Sequence, residues 1–219
     1  MRRDELSHII RAAARILDDA TVVVIGSQSI LASYPEVTLP DELTVSIEAD
    51  LLPLGGDDDA DKIDGAIGEG SHFHETFGVY GQGVGVRTAV LPDGWKDRLV
   101  PLVDPSTGAV GWCLDPHDLC ASKLIAGREK DLDFVEAAVV HRLIDARLVD
   151  ERLVGVDDLR TGAARARAQR LESLGIPDKD RRQWRSQRDT ALVQRRSKVA
   201  IGPKDVLRGL TTSTDRDDV

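Results

Sequence analysis

Cysteine is nearly absent. The 219-residue chain has two, Cys113 and Cys120, too few for a disulfide framework and in keeping with a reduced, cytoplasmic protein. Long apolar runs are missing too. None reaches the roughly 20 residues that cross a bilayer, and no signal-peptide pattern follows Met1, so no membrane association is expected. Positive charge is in deficit, with 29 Lys+Arg against 38 Asp+Glu and a net charge of -9. That balance argues against bulk attraction to nucleic acid. The deficit is uneven. From Arg160 to Lys198, 12 Lys/Arg stand against 4 Asp/Glu, a local +8 that leaves -17 for the remainder. Such a stretch can hold a polyanion on an otherwise acidic chain.

What is present suits a globular protein. Hydrophobic residues make up 41%, and the length fits one large domain or one domain with a helical appendage. The pattern predicts an α/β (α+β) domain over residues 1–145, a helical region over 146–210 and a disordered tail over 211–219. Asp4 to Leu17 has helical spacing of Leu6, Ile9, Ile10, Ala13, Ala14 and Leu17. Thr21–Ile25, Thr44–Leu52, Phe77–Val90, Leu99–Val103 and Val110–Leu114 read as strands. Asp115-Pro116 is a helix start with Asp as cap and Pro at the first helical position, and Gly127 ends that helix. Beyond Asp145 the pattern is helical, interrupted at Pro177.

The stretch from Val22 to Leu52 organises the rest. The first strand ends at Gly26-Ser27, where a short helix over Gln28–Ser33 begins. Unpaired N–H groups at a helix start can hold a phosphate, and glycine lets it come close. The next strand carries Glu48 and Asp50. Residues two apart on a strand face one side, and two like charges on an apolar strand are costly unless a cation sits between them. A plain turn and a solvent-facing Ser46-x-Glu48-x-Asp50 stripe are the alternatives. His72 and His74 also alternate, but without a third ligand an exposed strand start explains them better than zinc. Lys123 sits among Leu119, Leu124 and Ile125, with Arg128 five residues on. Both suit phosphate neutralisation, although a helix-end cation is the simpler reading of Arg128. Asp133 and Glu136 have capping-box spacing before the apolar run Phe134–Leu143.

Gly26, Ser27, Glu48 and Asp50, supported by Lys123 and Arg128, resemble the nucleotidyltransferase superfamily. The likeness is nearest to the AbiEii/MenT-like group of bacterial nucleotidyltransferase toxins and covers about Asp4 to Leu143. The resemblance implies a mixed sheet flanked by helices and a Mg²⁺-dependent transfer of NMP from an NTP. It implies Glu48 and Asp50 as metal ligands, Gly26, Ser27, Lys123 and Arg128 as nucleotide contacts, and Asp131 as metal ligand, base or orienter of Lys123. It further implies an RNA acceptor, plausibly a tRNA 3′ end, an antitoxin partner, and Ser46 as a candidate phosphosite. A phosphate on Ser46 would set negative charge beside the metal acids. The 20-residue spacer between Ser27 and Glu48 is longer than usual, and the first acid is Glu where Asp is usual. Those two departures motivate the alternative, a module on the same fold that binds nucleotide or a partner without turnover. Arg181, Arg182, Arg185, Arg188, Arg195 and Arg196 cluster around Trp184, as either an RNA surface or a solvated helix face with Trp184 docked on the core.

Overall fold

A computed structural model describes residues 1–19, 21–200 and 202–203. The expected disordered tail lies outside the described residues. The architecture is the expected α/β one. Five strands form a mixed sheet in the order β3-β2-β1-β5-β4: β1 (Thr21–Val24), β2 (Glu48–Leu52), β3 (Tyr80–Gly83), β4 (Val100–Val103) and β5 (Val110–Cys113). The centre is parallel where β1 meets β5, and β1–β2 and β4–β5 are antiparallel.

Helix α1 (Arg3–Leu17) lays its apolar stripe on one sheet face. Leu6, Ile9 and Ile10 are fully enclosed, each contributing about 1.5–3 kcal/mol by leaving water. Gly111 of β5 permits the close fit, since a Cβ there would stand 2.3 Å from Ile10 Cδ1. Strand parity then assigns the faces. Gly111 pairs with Val22, and Gly81, which approaches Ile9, pairs with Ala49. Glu48, Asp50, Val23 and Trp112 therefore point away from α1, to the opposite face.

That second face is covered by a 3₁₀ turn over Ser27–Ala32 and by α4 (Pro116–Ala126). The expected helix at 28–33 is thus 3₁₀ rather than α. α4 starts as its sequence dictates, with the Asp115 carboxylate accepting from His117 N–H and Pro116 in the first turn, and it ends at Gly127 in the left-handed region. α5 (Glu129–Val140), α6 (Ala146–Leu153) and α7 (Thr161–Leu171) pack around it, and α8 (Asp178–Arg196) lies across β4.

Several expected boundaries differ. β2 begins at Glu48, because Thr44–Ser46 is held outside the ladder by the Met1 ammonium and the Gln28 side chain, which both bond to Ser46 O. His72 and His74 belong to a short helix, α3 (His72–Phe77), whose Ser71 cap accepts from His74 N–H. Only Tyr80–Gly83 of the expected 77–90 strand pairs. The carboxylate of Asp64, on α2 (Asp57–Ile67), takes the Gly83 N–H, and the chain leaves the sheet after a last bond from Val84 N–H to Leu51 O. Asp133 is not a cap, since α5 has already begun at Glu129 and Asp133 is exposed on it.

Candidate active site

Strand β1 delivers Gly26 beside β2. The Ile25 N–H donates to Asp50 O over 3.0 Å, which extends the ladder by one residue. The Asp50 side chain then lies directly over Gly26. A Cβ at residue 26 would stand 1.7 Å from Asp50 Oδ2, so glycine is required by the acid itself. The backbone there is extended (φ -84°, ψ -171°), a conformation open to any residue, and the constraint is steric. Ser27 opens the 3₁₀ turn, whose first backbone bond runs from Ser29 N–H to Gly26 O. The 20-residue spacer is taken up by this turn and two more, at Glu36–Thr38 and Asp41–Leu43. Its length therefore leaves Gly26 and Asp50 in contact.

Glu48 and Asp50 line one cleft of about 500 Å³ together with Gly26, Ser27, Ser46, Lys123, Arg128 and Asp131. Burial raises the Glu48 pKa, and the Asp50 charge raises it further. Burial also raises that of Asp50, against the pull of Lys123, Arg128 and Lys130. Ser46 Oγ accepts from Glu48 N–H at 3.2 Å, which places the hydroxyl at the start of the acidic strand.

The α4–α5 corner supplies the cations. Lys123 is in the last turn of α4, and Arg128 precedes α5. Asp131, fully buried, joins them. Its Oδ1 accepts from Lys123 Nζ at 2.9 Å and its Oδ2 from Arg128 Nε at 2.6 Å. Burial pushes the Asp131 pKa up, but these bonds outweigh it and hold the carboxyl below its usual range. Phe134 completes the cradle, with Lys123 Nζ 4.5 Å from its ring centroid. Of the three roles open to Asp131, the geometry matches the orienter.

Phe134, Arg87, Lys130 and Arg160 also line the cleft and were not singled out from sequence. Arg87 lies in a segment whose alternation reads as strand, and Phe134 reads as plain core. Only the neighbourhood of Lys130, two residues after Arg128 and one before Asp131, carried a signal.

The matching stretch spans most of this architecture. Residues 4–176 match the model of a family described as "Nucleotidyltransferase of unknown function (DUF6036)". The chain belongs to that family. In this family member the match takes in the sheet and α1 to α7 and stops before α8. No curated protein and no solved structure matched the chain.

A divalent cation is the group that such a nucleotidyltransferase implies, and the residues fit one. Two carboxylates share a face, both are raised by burial, and neither accepts a hydrogen bond from another side chain among the described residues. Among those residues no cluster of three or more His, Cys, Asp or Glu side chains is placed to hold a metal. A pair suits magnesium, which takes one or two carboxylates and completes its shell with water and substrate oxygens.

Five of the six arginines singled out on α8 bond inward, and Arg182 is exposed. Arg181 and Arg185 pair with buried Asp145, Arg188 pairs with buried Asp115, and Arg195 and Arg196 donate to the carbonyls of Ser33 and Leu99. Trp184 donates its indole N–H to Arg142 O and sets its ring edge-on to His117. The docked alternative is the one observed. Both cysteines are free and buried. Among the described residues, no helix is long and apolar enough to cross a membrane.

Proposed function

We propose that this protein transfers NMP from an NTP to an acceptor hydroxyl in a Mg²⁺-dependent reaction. The observation that carries the reading is the convergence of the raised acid pair, Glu48 and Asp50, with Gly26-Ser27 and the Asp131-held cations around one cleft. Glu48 and Asp50 would hold the metal, which supplies charge neutralisation on the phosphates and orientation of the attacking oxygen. Ser27 and the N–H groups of the 3₁₀ turn contact the phosphate tail. Lys123 acts as a point charge and Arg128 as a planar fork on the triphosphate. Asp131 fixes both, so that they meet the developing charge without reorganising. The acceptor oxygen bonds to the α-phosphorus as the bond to the bridging oxygen breaks, and pyrophosphate leaves.

The finer reading follows the resemblance to the AbiEii/MenT-like toxins. It makes the acceptor an RNA, plausibly a tRNA 3′ end, places the protein in the cytoplasm, and gives it an antitoxin partner. Ser46 is its candidate phosphosite. The reading that the chain binds nucleotide without turnover draws on Glu48 in place of Asp. One experiment separates them: each α-labelled NTP with Mg²⁺ and total bacterial RNA. Transfer predicts labelled RNA with one or more NTPs and no label from the γ-position. Saturable Mg²⁺-dependent nucleotide binding with no labelled product would instead support the binding module.

A further inference from the structure

The cleft holds more positive charge than its inner site uses. Lys123 and Arg128 are tied to Asp131, and Arg160 is paired with Asp158. Two further cations line the same cleft from opposite elements: Arg87, on the segment that follows β3, and Lys130, in the first turn of α5. Both are exposed, and neither has an ion-pair or hydrogen-bond partner among the described residues. Glu42 also lines the cleft but makes no ion pair with either. Lys130 stands close enough to Glu48 and Asp50 to pull both downward. A divalent cation on that acid pair would remove this compensation. Lys130 also sits at the positive end of the α5 dipole, one residue from Glu129 and two from Arg128, where a further cation is unfavourable unless an anion joins it.

We infer that Arg87 and Lys130 form a phosphate-binding pair at the mouth of the cleft, distinct from the Asp131-held inner cations. Only the identity of the phosphate's carrier rests on the nucleotidyl-transfer reading. The carrier is either the tail of the nucleotide or a phosphate of the acceptor. The shared chemistry is a phosphate oxyanion gripped from two sides by a guanidinium and an ammonium.

Calorimetry on the full chain tests this without turnover. The first probe is inorganic tripolyphosphate with Mg²⁺. The second is inorganic phosphate, titrated with Mg²⁺-tripolyphosphate saturating. The Arg87→Ala/Lys130→Ala double variant is compared with Lys179→Ala/Arg182→Ala, which removes two exposed cations from α8. Two partly exposed contacts predict about a tenfold loss of affinity in the first variant alone. Loss for tripolyphosphate assigns the pair to the nucleotide tail. Loss for inorganic phosphate alone assigns it to the acceptor. Equal affinities in the wild type and the double variant for both probes overturn the proposal, as does an equal loss in the α8 control or no binding of either probe by the wild type. Since neither side chain has a partner to lose, unchanged thermal unfolding shows that the fold is intact. Failure of the transfer reading looks different, with tripolyphosphate bound by the wild type and no NTP label moved.

Discussion

Gly26→Ala tests the tightest contact of the site. The new methyl would stand 1.7 Å from Asp50 Oδ2 and 2.6 Å from Asp50 Cγ, so the carboxylate must retreat by about 1.5 Å to regain van der Waals distance. The cleft gives it somewhere to go, and the stability cost is set at about 1–3 kcal/mol, as for overpacking elsewhere. Activity suffers more, because a displacement of about 1 Å at a reacting centre costs roughly 10²-fold. Stability separates this explanation from a glycine kept only for phosphate approach. In an Asp50→Ala background the obstructing Oδ2 and Cγ are gone, and Gly26→Ala should cost about 1 kcal/mol less than in the wild type. Urea unfolding of the four proteins in a double-mutant cycle, at fixed pH and without metal, reads that coupling. Equal costs in both backgrounds, within about 0.3 kcal/mol, would falsify the steric account of Gly26.

Three further outcomes follow from the charges. Asp50→Asn should unfold at higher temperature than the wild type in metal-free buffer near neutrality, because it removes a half-buried charge opposed by Glu48; Mg²⁺ should stabilise the wild type and leave the variant unmoved. Asp131→Asn should cost about 2–3 kcal/mol near neutrality by cutting two charge-assisted bonds. The folded Asp131 pKa is depressed. Its stabilisation is therefore complete above the unfolded value near 3.9 and lost as pH falls through the folded value. The gap between wild type and variant in urea unfolding should accordingly close below about pH 4. Arg188→Ala takes the guanidinium from the buried carboxylate of Asp115 and leaves it only its His117 bonds, and should destabilise the protein by about 3 kcal/mol, seen as a lower denaturation midpoint even without any ligand. A wild-type midpoint would mean that Arg188 is free for another partner.

Periodicity revealed α1, which buries one clean face, and apolar runs revealed the strand cores. Leu6, Ile9 and Ile10 mark α1, and Asp115-Pro116 and Gly127 bracket α4 from their own chemistry. The acid pair was legible because polar residues two apart on an apolar strand need an explanation. The segment after β3 was not legible. Val84, Val86 and Val90 alternate as a strand would, yet the last ladder bond runs from Val84 N–H to Leu51 O, and the Gly83 N–H goes to the Asp64 carboxylate of α2. Asp133 with Glu136 has true capping spacing, but Asp131 holds Lys123 and Arg128 at the head of α5, and the cap position is Arg128, five residues earlier. The inward pairing of the α8 arginines was not legible for a related reason. Local charge counts cannot show that Asp115 and Asp145 lie buried beneath them. Gly26 was found by its motif, whereas its steric reason required β2 laid beside β1.

Transfer of α-label by the wild type, compared with Asp50→Asn and Asp133→Asn in one assay, tests the central claim most directly. Asp50 lies in the cleft, and Asp133 is a solvent-exposed acid of α5 outside it. The account predicts labelled product with the wild type and with Asp133→Asn, and none with Asp50→Asn. Label that persists in Asp50→Asn would contradict it.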